Sequence, residues 1–364
     1  MKKLPIGIQD FRELREGGYV YVDKTEYIHK LVTEGKYYFL SRPHHFGKSL
    51  LVNTLAELFQ GSRELFEGLW IEEQWDWEQR NPVIKLDFSS MEYKDIGLKK
   101  AISARIDEIA TAYQVELKDK SHGLRFQELV QKISKKHGSP VILIDEDDKP
   151  IIDHLEELPK AKANLDVLDA LYSGLKDLDA YTHLVFITGT YKFSRSSIFS
   201  GLNNLSDITR HYKFQSMLGY TQEELEHSFA DRIEMLSDKF GGKHALLEGL
   251  RDWYNGYAWN KKQITLYNPF SVLSFFQTED FDNFWFASGM PTFLVNLLKK
   301  YDLRDLEGLE VAGSVFDGFD INNIPPSSLL FQAGCITIKE EMGFGLYRLG
   351  YPNREVRQSM IIPT

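Results

Sequence analysis

Residues 37–50 read YYFLSRPHHFGKSL, an apolar run followed by a loop and the start of an amphipathic segment. Tyr37–Ser41 is short and apolar and leads into a loop that contains proline and glycine, as expected for a strand. Lys48–Phe59 then has apolar residues at helical spacing, namely Leu51, Leu55, Leu58 and Phe59. The sequence therefore predicts a strand, a loop and a helix in immediate succession.

The loop matches the end of the phosphate-binding motif G-x-x-x-x-G-K-[ST], with Arg42 where the first glycine is expected. Gly47 lets the backbone approach phosphates, and the helix that begins there directs free N–H groups toward them. Lys48 reaches the β and γ oxygens, and Ser49 ligates Mg²⁺. A Gly-Lys-Ser triplet alone usually does no more than begin a helix, but its place after an apolar strand favours phosphate binding. The predicted nucleotide-binding residues are Arg42, Pro43, His44, His45, Phe46, Gly47, Lys48, Ser49 and Leu50.

A second apolar run ends in two acids. Val141–Ile144 reads VILI and is followed by Asp145 and Glu146. At the carboxyl end of a parallel strand, Asp145 can hold Mg²⁺ while Glu146 orients and deprotonates the attacking water. Taken alone, such a run is more often a strand that enters a solvated loop, but together with Lys48 it predicts a nucleoside-triphosphate site with ATP and Mg²⁺ as ligands.

A polar residue ends the fourth predicted strand. Thr188 stands where a polar side chain can contact the γ-phosphate or its water, and we predict a catalytic role for it beside Lys48 and Glu146. A threonine at a strand end can equally be a hydrogen-bond partner in a turn. Lys192 and Arg195 follow closely and could neutralise phosphate charge, although solvated loop cations are the default.

Strand-like and helix-like segments alternate through the first half of the chain. This alternation is typical of an α/β fold, a parallel sheet with helices on both faces. The other predicted strands are Val83–Phe88 and Thr182–Thr188, and the other predicted helices are Asp95–Tyr113, Leu124–Lys136 and Leu165–Leu178.

The character of the chain changes after about residue 215. A capping box at Thr221 and Glu224 begins a helical region rich in aromatic residues. The aromatic cluster Trp253–Trp259 could stack bases, but we expect it to pack in the interior, with Asn-Gly as a turn. From Ser327 onward the pattern predicts a helix end and a β-hairpin with turns at Gly334, Gly343 and Gly345, and no closing helix.

Composition narrows the function classes. The single cysteine, Cys335, excludes an intramolecular disulfide and fits a reducing, cytoplasmic compartment. No run of about 18 apolar residues occurs, so no membrane partner is expected. The net charge of -10 argues against nucleic acid as a partner of this chain, because phosphate contacts need a concentrated positive face.

Several stretches together resemble a family of bacterial proteins with an AAA-ATPase-like N-terminal region, often followed by a PD-(D/E)XK nuclease-like domain. The resemblance spans nearly the whole chain. The stretches that carry it are Tyr21–Thr25, Ser41–Leu50, Leu143–Pro150, Ile198–Asn204, Trp253–Tyr257, Tyr267–Pro269 and Leu349–Asn353.

The resemblance implies a P-loop NTPase core of the ASCE type, a helical lid and a small winged-helix-like or hairpin region, with ATPase activity. We assign the core to residues 1–215, the lid to 216–310 and the last region to 311–364. The resemblance also implies a homo-oligomer, with Arg195 or Arg210 as a candidate arginine finger. A nuclease-like effector or partner protein is implied as well, although no nuclease motif follows Asn353.

The chain departs from the family's usual residues at its site. His44 and His45 stand where arginines are typical, and Asp147 stands where an aromatic residue is usual. Neutral histidines would make nucleotide binding weaker and dependent on pH, and an added acid could repel the polyphosphate or recruit Mg²⁺. An alternative hypothesis is therefore a degenerate P-loop protein that binds nucleotide weakly or serves as a non-catalytic interaction module.

Overall fold

The computed structural model describes residues 1–119, 121–193, 202, 204–260, 264–287, 294 and 306–361. Its first sheet consists of β1 (Tyr37–Ser41), β2 (Val83–Asp87), β3 (Val141–Asp145), β4 (Leu184–Gly189) and β5 (Ser206–Asp207). The strands are parallel and lie in the order β2-β3-β4-β1-β5. Every residue of β1, β3 and β4 is buried, and because successive side chains point to opposite faces, both faces of the sheet are covered. The predicted α/β class is confirmed.

Helices connect and cover these strands. The α-helices are α1 (Phe11–Glu16), α2 (Thr25–Glu34), α3 (Lys48–Gln60), α4 (Tyr93–Ile96), α5 (Leu98–Ala112), α6 (His122–His137), α7 (Lys149–Ile152), α8 (Leu158–Tyr172), α9 (Gln222–Ser228), α10 (Ala230–Ser237), α11 (Lys243–Tyr254), α12 (Pro269–Thr278), α13 (Phe284–Ala287), α14 (Pro326–Ala333) and α15 (Arg354–Ile361). Short 3-10 segments cover Arg63–Phe66, Trp70–Glu73, Ser173–Tyr181, Asp238–Phe240 and Gly313–Phe316. In the described part of the chain, no helix combines the length and apolar character needed to cross a membrane.

Helix α3 follows the loop after β1 and packs near β2 and β3. It begins after Gly47 (φ 96°) and ends before Gly61 (φ 79°). Both glycines have left-handed backbones, which other residues adopt only at a cost, so they fix where the helix starts and stops. The predicted helix from Lys48 to Phe59 is confirmed.

Three predicted elements differ from the structure. The predicted helix Asp95–Tyr113 is broken at Gly97 (φ 86°), where α4 ends and α5 begins. The predicted helix Leu165–Leu178 begins earlier and changes to 3-10 geometry after Tyr172. The expectation of no closing helix is wrong, because α15 follows the hairpin. Its buried positions include Glu355 and Ser359, so no apolar stripe revealed it in the sequence.

The second half of the chain contains a helical region and a small antiparallel sheet. The capping box is confirmed, since the Thr221 hydroxyl accepts from the Glu224 amide and the Glu224 carboxylate accepts from the Thr221 amide. The second sheet contains β6 (Leu309–Ala312), β7 (Thr337–Gly343) and β8 (Leu346–Gly350), in the order β6-β8-β7. Strands β7 and β8 form the predicted hairpin.

The buried apolar side chains form two hydrophobic clusters, and each cluster combines residues from distant parts of the sequence. The larger cluster joins the parallel sheet to C-terminal residues such as Phe316 and Leu349. The smaller cluster contains lid residues such as Phe229 and Phe275, together with Val20 and Val22 from the N-terminal segment (residues 1–24). The N-terminal segment therefore packs with the lid as well as with the core. The domain boundaries at 215 and 310 stay predictions.

Candidate functional site

The carboxyl ends of three neighbouring strands carry the polar residues of the site. Strands β3, β4 and β1 are adjacent, and they end at Asp145, Gly189 and Ser41. Residues that follow parallel strands emerge at the same edge of the sheet. The predicted phosphate loop and the predicted acids are therefore brought to one edge.

Lys48 lies buried at the start of α3. Its Nζ donates to the carbonyl oxygens of Arg42 (3.0 Å) and Pro43 (3.2 Å) and to Thr190 Oγ1 (3.1 Å). Burial lowers the pKa of Lys48, while the charges of Glu146, Asp148 and Asp145 act in the opposite direction. The amine is thus held inside the loop and within electrostatic reach of the acids.

The phosphate loop has a backbone that few sequences adopt. Gly47 and His45 both have positive φ, 96° and 66° respectively. The His45 ring stacks on Phe270 of α12, with ring centroids 4.6 Å apart. Burial, followed by the charge of Lys48, lowers the pKa of His44 to about 3. His44 is therefore neutral at pH 7 and supplies no positive charge to the site.

Two side chains of the loop anchor it to the rest of the fold. The buried Arg42 guanidinium donates through Nη1 to the carbonyl oxygens of Ser41 (2.8 Å) and Thr209 (2.7 Å). It also lies over the Trp259 ring at 4.7 Å, and burial lowers its pKa to about 9. Phe46 contacts the same ring, edge to face, at 5.5 Å. Lys48 Nζ therefore contacts the carbonyl oxygen of Arg42, whereas the Arg42 guanidinium turns toward Ser41 and Thr209.

The two predicted metal ligands interact. Burial raises the pKa of Asp145 to about 6, and a hydrogen bond from the Ser49 side chain lowers it. Among the residues that the structure describes, Asp145 Oδ1 has no hydrogen-bond partner. A buried carboxylate oxygen without a partner beside a hydroxyl fits Mg²⁺, which proteins bind through one or two such groups together with phosphate oxygens. Asp87, opposite Asp145 in the β2–β3 register, is a further acid at this edge that the motifs did not indicate.

Glu146 directly follows β3 and has a left-handed backbone (φ 53°). Burial raises its pKa, and the nearby Lys48 ammonium lowers it. Non-glycine residues rarely adopt this conformation. Those that do are often found at functional sites, where the surrounding structure holds them in place. The backbone turn thus directs Glu146 toward the cavity beside Lys48, which both residues line.

The residue beside Lys48 at the end of β4 is Thr190. The Thr188 hydroxyl is buried and donates to Leu40 O on β1 (2.8 Å). Thr190 Oγ1, two residues later, accepts from Lys48 Nζ. Side chains two residues apart along a strand point to the same face, and Thr190 is the one closer to the loop. Both residues are threonine, so residue type did not show which of them would contact Lys48. The predicted role of Thr188 stays a prediction, and Thr190 joins the site.

The turn after Glu146 is packed against the end of β4. The Asp147 carboxyl is buried, and its backbone N–H donates to Thr188 O (3.1 Å). The Asp148 carboxylate accepts from the backbone N–H groups of Thr190 (3.0 Å) and Tyr191 (2.8 Å). Burial raises the pKa of both carboxyls. Both acids therefore face the interior of the fold.

A cavity of about 300 Å³ adjoins these groups. Lys48, Ser49 and Glu146 line it at one end, together with the phosphate loop. Its remaining wall is mostly apolar and comes from the N-terminal segment, α3 and the lid, including Ile6, Ile8, Val22, Leu218, Phe270 and Leu273. An apolar chamber with a few polar groups at one end is the usual form of a small-ligand site.

The two candidate arginine fingers have different positions. Arg195 lies outside the described residues. The Arg210 guanidinium lies over the rings of Phe316 (4.0 Å) and Tyr347 (5.2 Å), so it packs against the C-terminal sheet. Lys192 pairs with Asp207 at the end of β5.

A family model described as predicted AAA-ATPase matches residues 5–199, more than half of the chain. The chain belongs to this AAA-ATPase-like family. The matched range contains the phosphate loop, the acidic turn (residues 145–148) and the end of β4. The P-loop type of fold expected from the sequence is thereby confirmed.

One relative of this AAA-ATPase-like chain comes from Azotobacter chroococcum mcd 1 and is described as an uncharacterized protein in the vnfD 5' region. It is 39% identical over 370 residues, and the alignment covers 99% of this chain and 69% of the relative. The likeness thus extends through the lid and the C-terminal sheet.

Two solved structures align with most of this AAA-ATPase-like chain. The Aeropyrum pernix ORC1 protein, solved in complex with DNA, aligns over 96% of this chain and 90% of its own, with 12% identity and a TM-score of 0.28. CDC6P from Pyrobaculum aerophilum aligns over 91% of this chain and 89% of its own, with 10% identity and a TM-score of 0.31. At these TM-scores the likeness supports no inference about this chain.

Proposed function

We propose that the chain binds Mg²⁺–ATP at the loop 42–50 and hydrolyses it. The observation that supports this most directly is the meeting of Lys48, Ser49 and Glu146 at one end of a cavity whose remaining wall is mostly apolar. Phosphates would lie against Lys48 and the free amides at the start of α3, and the base would lie in the apolar chamber.

Each residue at the polar end has a separate role in this proposal. Lys48 exchanges its contacts with loop carbonyls for contacts with phosphate oxygens. Ser49 and Asp145 would hold Mg²⁺, which neutralises phosphate charge when bound. Glu146 orients the attacking water and accepts its proton, and its raised pKa makes it a better base than an exposed glutamate. The Thr190 hydroxyl, which contacts Lys48 Nζ, would donate to the γ-phosphate.

The finer features follow from the family resemblance. In this proposal the chain acts in the cytoplasm as a homo-oligomer, and hydrolysis regulates an attached or partner nuclease-like effector. Since Arg210 packs against aromatic rings within its own chain, a different arginine would have to reach a neighbouring site.

The alternative is a weak binder or non-catalytic interaction module. The neutral His44 favours it, because this residue supplies no charge where the family resemblance implies an arginine. The alternative predicts little or no turnover and an ATP affinity that does not depend on Lys48.

Phosphate release and ATP titration with the wild type and Lys48→Ala separate the two functions. We expect Mg²⁺-dependent turnover in the wild type and a loss of about 100-fold or more in Lys48→Ala, the scale seen when one group that stabilises transition-state charge is removed. The exposed Lys99→Ala serves as the control and should match the wild type. Equal phosphate release from all three proteins, or no ATP binding by the wild type, would contradict the proposal.

A further inference from the structure

Asp148 determines the path of the chain as it leaves β4. Its carboxylate is buried and accepts two backbone N–H groups, from Thr190 (3.0 Å) and Tyr191 (2.8 Å). A carboxylate that accepts two amides in the interior forms strong, charge-assisted hydrogen bonds. The position of the segment after Gly189 is therefore set by a side chain from the turn after β3.

Gly189 allows this close approach. A Cβ atom at Gly189 would lie 2.5 Å from Asp148 Oδ1 and 2.4 Å from Asp147 Oδ1, closer than atoms can pack. The acidic turn thus contacts the end of β4 directly. The glycine is required here for space, because its backbone has no positive φ.

Thr190 is held on three sides as a result. Its N–H donates to Asp148, its carbonyl oxygen accepts from Ser41 Oγ (2.6 Å), and its Oγ1 accepts from Lys48 Nζ (3.1 Å). Since both backbone groups are fixed, the Cβ atom is fixed as well, and only rotation about χ1 can move the hydroxyl away from the lysine amine. The hydroxyl accepts from Lys48 and keeps its own hydrogen for another acceptor, such as a phosphate oxygen.

We propose that Asp148 is a positioning residue for the nucleotide site, acting through Thr190. It holds the Thr190 hydroxyl against Lys48, so that the hydroxyl stays in place when the amine turns to a phosphate. Asp148 itself contacts no reacting group. This inference rests on the proposed function, since it assigns Thr190 and Asp148 to the same site.

The proposal predicts an effect on turnover more than on binding. Lys48, the helix amides and the apolar chamber remain in Asp148→Asn, so ATP affinity should stay within about threefold of the wild type. The asparagine side chain has one carbonyl oxygen, so it can accept from only one of the two backbone N–H groups, and Thr190 becomes free to move. Misplacement by about 1 Å can cost on the order of 100-fold in rate. We expect kcat to fall about tenfold or more in both Asp148→Asn and Thr190→Ala.

A double-mutant cycle tests whether Asp148 acts through Thr190. The variants are Asp148→Asn, Thr190→Ala and their combination, with kcat and ATP affinity measured for each. Residues that act through one another give non-additive losses, so the double variant should be no slower than the slower single variant. Thr190→Ser, which keeps the hydroxyl, should retain most activity. Asp166→Asn, the same change at an exposed acid on α8, is the control and should keep wild-type kcat.

Several results would overturn the inference. A multiplicative loss in the double variant would show that the two residues act separately, and wild-type kcat in Thr190→Ala would remove the mechanism even if Asp148→Asn does not fold. A crystal structure of Asp148→Asn gives a readout that does not depend on activity, because the Thr190 hydroxyl should leave hydrogen-bonding distance of Lys48 Nζ. An unchanged distance overturns the inference, whereas absence of turnover in the wild type overturns the proposed function instead.

Discussion

Glu146 combines an unusual backbone with a position beside Lys48. If it activates water, Glu146→Gln keeps the shape and the metal and phosphate contacts but removes the base. We expect ATP binding to be retained and kcat to fall about 100-fold or more, within the range of general-base contributions. Phosphate release and calorimetric titration measure the two quantities. Glu234→Gln, an exposed change on α10, is the control, and equal loss of binding and turnover in Glu146→Gln would assign this residue to binding.

The site residues that belong to short sequence motifs could be predicted from the sequence. Lys48 and Ser49 belong to a loop motif, and Asp145 and Glu146 end an apolar strand. Thr190 and Asp148 were not predictable, because their contacts join two strand ends that are far apart in the chain. The same holds for Arg42, whose guanidinium turns toward Thr209 and Trp259.

At the scale of elements, a partly buried ion pair joins the N-terminal segment to the lid. Lys24 Nζ donates to both carboxylate oxygens of Glu224 (2.6 Å each) and to Ser216 O (2.8 Å). Glu224 is also the acidic member of the capping box that begins α9. This link places the first lid helix against the segment that lines the cavity.

Lys24→Met removes the cation and leaves Glu224 in a largely buried position. Breaking a fully buried pair costs about 3–5 kcal/mol, and the partial exposure of Glu224 reduces the expected loss of unfolding free energy to roughly 2–3 kcal/mol. Urea unfolding measures this loss. Lys30→Met removes an exposed i,i+4 pair with Glu26 and a cation–π contact with the Tyr27 ring, and should change stability by about 1 kcal/mol or less. Equal stability of the two variants would contradict the role of the Lys24 pair.

The elements that the sequence predicted well are those with a strong apolar period. β1 matches its predicted bounds, and α3 and α6 match theirs within one or two residues. β5 is only two residues long, and α15 buries a carboxylate and a hydroxyl, so neither presents such a period. Gly97 breaks a helix whose apolar period continues through it, and periodicity alone cannot show that break.

At the scale of the whole molecule, Glu355 connects the last helix to the lid. Its carboxylate accepts from the amides of Phe284 and Trp285 (2.8 Å each) and from Ser271 Oγ (2.8 Å). Ser271 is next to Phe270, the ring that stacks on His45. Contacts thus run from the phosphate loop through α12 to α15.

The same residue predicts how stability depends on pH. Burial raises the pKa of Glu355 from 4.5 to about 7, although its hydrogen bonds lower it. The folded state therefore binds the proton more tightly, and the contribution of Glu355 is complete below about pH 4.5 and is lost as the pH rises to about 7. The loss is on the order of 3 kcal/mol, at about 1.4 kcal/mol per pH unit.

Urea unfolding of the wild type and Glu355→Gln between pH 4.5 and 8 measures this contribution. The difference between the two proteins in unfolding free energy isolates Glu355 from the other buried acids. We expect the wild type to lose more stability than Glu355→Gln over this range. Parallel curves would show that the Glu355 carboxyl does not bind its proton more tightly in the folded state.

The three internal hydrogen bonds of the Lys48 amine would favour ligands with several acceptor atoms over ligands with one. An anion that takes this amine has to replace two carbonyl oxygens and a hydroxyl, so it must offer at least as many acceptors. Chloride or a single carboxylate gains too little from such an exchange, whereas a chelated polyphosphate offers several oxygens at once. We therefore expect the loop to bind polyphosphates in preference to chloride, and competition assays with inorganic triphosphate and chloride would test that discrimination.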